Sequence, residues 1–202
     1  MQKELRYELD LAGPRPTHQR NVELGWGLAV LVAVGSNVIW HVTHGRWFEA
    51  FWLCNAAALV AGLALWTQKS LLATVAFIWL VPGTAAWAAE ALLLGSSFAW
   101  PSYALHLTGA IAAVLGIRRF GAHRAGYVAA LALLALLLLV SRLLPLAANV
   151  NCAFGPRAGW WVFQALPLPH WGALAVMALS LSFAMNGLAG FVSPKALSVT
   201  SR

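Results

Sequence analysis

Residues 71–94 read LLATVAFIWLVPGTAAWAAEALLL, and Glu90 is the only charged side chain among them. An α-helix rises 1.5 Å per residue, so about 20 such residues cross the roughly 30 Å of bilayer hydrocarbon. This stretch therefore predicts a membrane span. Within it, Val81-Pro82-Gly83-Thr84 combines a residue lacking an amide proton with one lacking Cβ, which predicts a bend or a local opening of the helix.

Working outward, five more apolar runs of similar kind appear. Together they predict an all-α polytopic membrane protein with six transmembrane helices in one bundle: Leu24 to Trp40, Phe48 to Trp66, Leu71 to Leu94, Tyr103 to Ile117, Tyr127 to Leu146 and Trp171 to Phe191. Residues 1–21 form a polar tail, and the whole chain of 202 residues reads as one domain. The first run starts too late and is too long for a cleaved signal peptide, and no clear small-x-small site precedes His41.

Composition excludes the alternatives. The chain is 61% hydrophobic and 9% charged, where a soluble domain carries about a quarter of its residues as charges. A water-soluble enzyme is ruled out, and so is disorder, which needs low hydrophobicity and high charge. A net charge of +7 is also what nucleic-acid binders show, but here the cations are scattered between apolar runs and form no basic face. Nucleic acid is not an expected partner. The 11 Trp suit a membrane interface instead.

The cations set the orientation. Lys3, Arg6, Arg15, Arg20, Lys69, Arg118, Arg119, Arg124, Lys195 and Arg202 fall in the tails and the even connections, against Arg46, Arg142 and Arg157 in the odd ones. By the positive-inside rule both termini are cytoplasmic, in a bacterial inner or cell membrane. The odd connections then face outward, and they gather His41, Cys54, Glu90, His106, Asn149, Asn151, Cys152 and His170 into one layer. Counted from Trp47 and Trp100, Cys54 and His106 both lie about 10 Å deep, near the ester groups of lipids.

A thiol and an imidazole at one depth suit nucleophilic acyl transfer. A thiol of pKa about 8.5 is mostly protonated at neutral pH, and an imidazole can take its proton as sulfur attacks a carbonyl. The amides of Asn55, Asn149 and Asn151 are candidate donors to the oxyanion, and Glu90 is a candidate partner for an imidazole. Bland readings stand beside these. Cys54 can be a small packing residue, His41 and His170 can be interfacial residues beside Trp40 and Trp171, Glu90 can reach headgroups, and Arg142 can snorkel to phosphate. His106 is harder to read as filler, because ionisable groups within membrane spans are costly. Cys54 and Cys152 could pair as a disulfide, although Cys54 sits deeper; His41-x-x-His44 is the one metal-like spacing, and no metal is expected. There is no nucleotide-binding glycine motif or haem-attachment motif, and no cofactor is expected.

Phe51-Trp52-Leu53-Cys54-Asn55-Ala56-Ala57, Pro82-Gly83-Thr84, Pro101 with Tyr103-Ala104-Leu105-His106, Asn149-Val150-Asn151 and Ala165-Leu166-Pro167-Leu168-Pro169-His170-Trp171 follow one another in an order that resembles the YwaF-like integral membrane family. That family includes the mammalian transmembrane protein 164 and is related to the androgen-induced lipid-ester hydrolases. The resemblance implies a six-helix fold and cysteine acyltransferase activity on phospholipids. It places the functional cysteine at Cys54, within Leu53-Cys54-Asn55, and the functional histidine at His106. The chain departs from the family pattern at Trp52, where members often carry His, and at Cys152-Ala153-Phe154, where they carry an aromatic-rich segment.

The expected function is thus a lipid acyltransferase or lipid-ester hydrolase with an acyl-cysteine intermediate, acting on membrane phospholipid or another acyl lipid. The alternative from another class is a non-enzymatic small transporter or lipid-binding membrane protein. Transporters usually carry midplane polar groups and an internal repeat, and this chain shows neither clearly.

Overall fold

Every apolar run becomes a helix. The computed structural model describes residues 17–93, 95, 98–146, 149–154 and 169–193. Its α-helices are α1 (Thr17–Thr43), α2 (Leu53–Thr67), α3 (Ser70–Leu93), α4 (Trp100–Phe120), α5 (Gly126–Arg142) and α6 (His170–Val192), with 3-10 turns at Trp47–Phe51 and Val150–Cys152. No strand occurs among the described residues. Residues 1–16 of the polar tail, Arg157, the proline-rich residues 165–168, Lys195 and Arg202 lie outside the described residues.

Four helices, α1, α3, α4 and α6, are long and apolar enough to cross a membrane. Helices α2 and α5 are apolar but have only 15 and 17 residues, about 22 and 26 Å by helical rise. The outer faces are apolar too: Val32, Ile39, Leu107, Leu139, Phe183 and Phe191 are all exposed. So much exposed apolar surface would make a soluble domain aggregate, and it is what lipid tails require. The chain is a helical membrane protein.

Helix ends depart from the sequence expectation wherever a distant side chain intervenes. Helix α1 starts at Thr17 rather than Leu24, because its polar first turns find partners. Glu23 is buried, with Arg119 Nε at 3.6 Å and Gln68 Nε2 at 3.5 Å, while Arg119 also donates to Gln19. Helix α2 starts at Leu53 rather than Phe48, because Trp52 has an extended backbone and residues 47–51 form the 3-10 turn. Helix α4 starts at Trp100, with Pro101 in its first turn, where no amide proton is needed. Helix α5 ends at Arg142 rather than Leu146, in tight turns just ahead of Pro145, which cannot continue a helix. Helix α3 runs unbroken through Pro82, so the expected local opening is absent. Arg142 lies over the rings of Phe154 and Trp171, 5.1 and 4.5 Å from their centroids, a cation–π arrangement in place of a purely lipid-directed one.

The quoted stretch forms the centre of the bundle. All residues from Ala73 to Leu80 are buried, so this half of α3 has no lipid-facing side. Small residues set the helix spacing. A Cβ on Gly27 would come within 3.1 Å of the Gly62 carbonyl oxygen, and one on Gly126 would fall 2.2 Å from Thr74 Cγ2. At Gly27 and Gly62 the helices touch backbone to backbone, and at Gly126 a backbone meets the Thr74 side chain, close contacts that favour packing in a solvent that provides little hydrophobic drive between helices. The alternating chain direction brings the C-terminal ends of α1, α3 and α5 together with the N-terminal ends of α2, α4 and α6, and the site lies at that end.

Candidate functional site

A cavity of about 800 Å³ occupies this end and is lined by residues from all six helices and both 3-10 turns. Its deep wall is apolar, with Trp79, Leu134, Met177 and Leu181. Its upper wall carries the polar residues. Of the eight candidates read from the sequence, Cys54, His106, Asn55, Glu90, Asn149, Asn151 and His41 line it. His170 does not. Its Nε2 donates to the Cys152 carbonyl at 2.8 Å and so holds the turn that forms part of the wall.

Cys54 sits in the first turn of α2 with its sulfur against α3. A Cβ on Gly83 would stand 3.3 Å from Cys54 Sγ, so the missing side chain of Gly83 makes room for the thiol. His106, in the second turn of α4, is buried with its ring stacked on Trp87 at 4.6 Å and 8°. Its Nδ1 lies 2.8 Å from the Ser102 carbonyl oxygen. A carbonyl only accepts, so Nδ1 carries the proton and the neutral ring keeps its lone pair on Nε2. Thr84 Oγ1 reaches the His106 carbonyl at 3.4 Å. Thiol and imidazole-bearing backbone therefore flank consecutive residues of α3, Gly83 and Thr84. No hydrogen bond joins Cys54 to His106 among the described residues.

The asparagines work mainly as braces. Asn151 Oδ1 accepts from the Leu53 amide at 2.7 Å, capping α2, and Nδ2 donates to the Phe51 carbonyl at 2.8 Å and to Ser141 Oγ at 3.1 Å. Both donors are engaged, which leaves no Asn151 proton for an oxyanion. Asn149 Oδ1 accepts from the Phe154 amide at 2.9 Å within the turn. Asn55 Oδ1 accepts from Asn37 at 2.9 Å, while Nδ2 gives one proton to the Glu49 carbonyl at 2.9 Å and keeps a second. Asn55, next to Cys54 in the chain, thus has an amide proton beyond its two bonds.

His41, at the last turn of α1, faces Glu49 Oε2 at 3.6 Å, and Glu49 Oε1 accepts from Arg46 Nε at 2.7 Å. His44 turns elsewhere, stacked on Trp40 and 2.7 Å from the Trp40 carbonyl oxygen through Nδ1, so the His41-x-x-His44 spacing does not converge. Cys54 and Cys152 form no disulfide with one another and pack in separate apolar clusters, Cys54 against α3 and Cys152 with Ala173 of α6.

Sequence reading passed over Asn37, Glu49, Trp87, Ser102 and Ser141, and named Thr84 only within the Pro82-Gly83-Thr84 motif. Helical spacing contained a signal for three of them. Ser102 lies four residues before His106, Asn37 four before His41, and Trp87 three before Glu90, each pair sharing a helix face. The chain matches no family model, no curated protein and no solved structure.

Proposed function

We propose that the chain is a membrane-embedded lipid acyltransferase or lipid-ester hydrolase, with Cys54 as nucleophile and His106 as general base. The observation that carries this reading is the meeting of Cys54 and the Nε2-basic His106 in one cavity with an apolar deep wall. A cavity of about 800 Å³ has the size of a small-molecule site, and its apolar depth suits an acyl chain with the ester near the thiol. In the bilayer, α1 to α6 all serve as spans, with the 3-10 turn before α2 and the turn after α5 extending the two short helices. Both termini are cytoplasmic and the cavity faces the outer leaflet, in keeping with the charge asymmetry. The resemblance to the YwaF-like family agrees with this assignment of roles.

The chemistry is a displacement at an ester carbonyl. As Cys54 Sγ attacks the carbonyl carbon, His106 Nε2 takes the thiol proton. The carbonyl oxygen gains charge and meets the remaining Asn55 amide proton. The C–O bond then breaks, His106 returns the proton to the departing alkoxide, and a thioester remains on Cys54. Water or a lipid hydroxyl completes the cycle, giving a fatty acid or a new ester. The sulfur and the imidazole close on one another as substrate binds, since catalytic hydrogen bonds are often unmade in an empty site.

The test is turnover of acyl-labelled phospholipid in proteoliposomes. Cys54→Ala and His106→Gln should each lower it by about 100-fold or more. Full turnover by Cys54→Ala overturns the reading. A second reading, lipid binding without chemistry, is favoured by the missing Cys54–His106 hydrogen bond. It predicts that labelled phospholipid is retained unchanged and that Cys54→Ala leaves retention intact.

A further inference from the structure

One wall of the cavity holds an arrangement that the Cys54–His106 chemistry does not use. Asn37 and His41 lie one helical turn apart on α1, both are buried, and both line the cavity. Asn37 Oδ1 and His41 Nδ1 are buried atoms without a hydrogen-bond partner among the described residues. Buried polar atoms are normally partnered, so two orphans side by side in a cavity wall mark a place where something else binds or moves. Glu49 stands across from them. Its Oε1 is held by Arg46, which leaves Oε2 directed at His41 Nδ1 at 3.6 Å, too long for a hydrogen bond. A shift of about 0.7 Å would close it. The pair is tied to the thiol's neighbour, since Asn55 Nδ2 donates to the Glu49 carbonyl and Asn37 Nδ2 donates to Asn55 Oδ1, each at 2.9 Å.

A carboxylate aimed at one imidazole nitrogen fixes the ring and supports a positive charge on it, leaving the other nitrogen as a base. Here the arginine fixes the carboxylate, the carboxylate faces Nδ1, and Nε2 has no partner among the described residues. We infer that His41, oriented by Glu49, is the general base for the second half-reaction and delivers the hydroxyl of the acyl acceptor to the thioester on Cys54. The inference rests on the acyl-cysteine reading above and deepens it. Two histidines then divide the work, with His106 serving the thiol on entry of the acyl group and His41 serving the oxygen nucleophile on its exit.

The step balances without any further reagent. His41 Nε2 takes the hydroxyl proton as the oxygen attacks the thioester carbonyl carbon. The C–S bond breaks and the electron pair stays on sulfur. The proton held by His41 passes to the Cys54 thiolate and restores the thiol. The product is a carboxylic acid when the nucleophile is water and an ester when it is a lipid hydroxyl, so product analysis separates the two sources of the O–H group. Asn37 Oδ1 is an acceptor for a second hydrogen on the same nucleophile, or on a neighbouring hydroxyl.

The experiment follows the lifetime of acyl-Cys54 in proteoliposomes supplied with phospholipid carrying a labelled acyl chain, read by intact-protein mass spectrometry. In His41→Gln the adduct should form and persist, with release slowed about 100-fold or more. Glu49→Gln should slow release to a smaller extent, lowering kcat and KM for the lipid donor together while leaving kcat/KM for that donor unchanged, because Glu49 is a positioning residue for the release step alone. Hydroxylamine, a nucleophile that needs no general base, should strip the chain from wild type and His41→Gln at equal rates, which a merely structural defect would not produce. Wild-type release in His41→Gln overturns this inference and leaves the acyl-cysteine reading standing. No adduct in His41→Gln, together with turnover that survives Cys54→Ala, overturns both. If His41→Gln does not fold, Glu49→Gln carries the same test, and wild-type release by that variant counts against the inference.

Discussion

Replacing Asn151 with Ala removes three hydrogen bonds at once, to the Leu53 amide, the Phe51 carbonyl and Ser141 Oγ. The first two join the turn after α5 to the start of α2, across 98 residues of chain for the Leu53 contact, and the third ties that turn to the end of α5. Side-chain hydrogen bonds within membrane proteins contribute about 0.6 kcal/mol each on average and up to about 1.7. Three such bonds, with the Leu53 amide and the Phe51 carbonyl left without this partner, total about 2–4 kcal/mol. At roughly 2–4 °C per kcal/mol for a chain of this size, the thermal midpoint in detergent, followed by circular dichroism, should fall by roughly 5–15 °C. Ser141→Ala removes one of the three bonds and should cost about a third as much. The double variant should match Asn151→Ala alone for that shared bond, since the loss cannot be counted twice. Fraying at Leu53 also loosens the next residue, so Cys54 should react faster with a maleimide in Asn151→Ala. An unchanged midpoint in Asn151→Ala, or a cost for Ser141→Ala equal to that of Asn151→Ala, would refute the bracing role.

Gly126→Ala drives a Cβ to 2.2 Å from Thr74 Cγ2, and should lower stability by about 1–3 kcal/mol, with partial recovery in combination with Thr74→Ser, which removes that methyl; detergent unfolding curves of the three variants check it. Gly83→Ala places a methyl 3.3 Å from the Cys54 sulfur, so the helical circular dichroism should be retained while maleimide labelling of Cys54 slows. Trp87→Ala removes the ring stacked on His106, worth about 0.5–1.5 kcal/mol beyond the area it buries, and should reduce lipid turnover more than it reduces the thermal midpoint.

The helices were legible because membrane-spanning sequence is written in long apolar runs, and each run did become a helix. Their ends were not, because the residues that decide them act from far away. Nothing local to Leu53 says that Asn151 will cap α2, and nothing local to Glu23 says that Gln68 and Arg119 will let a buried carboxylate extend α1. The end of α5 is the contrasting case, since Pro145 stood in plain view and a tract of leucines obscured it. The candidate residues collected at one end because the chain reverses at every connection, so polar residues near alternate connections must share an end. What each does there depends on partners. Asn151, read as a possible oxyanion donor, has its protons committed to Phe51 and Ser141, while Glu49, whose Oε2 faces His41, falls inside the apolar run Phe48 to Trp66, where hydropathy marks only a span.

The central claim is that Cys54 carries an acyl group during turnover. The direct measurement is peptide-level mass spectrometry of protein quenched in acid during reaction with phospholipid bearing an isotopically labelled acyl chain. The account predicts the labelled acyl mass on the peptide containing Cys54, removable by hydroxylamine and absent in Cys54→Ala and His106→Gln. Labelled product formed at the wild-type rate by Cys54→Ala, with no acyl mass on that peptide in any variant, would contradict it.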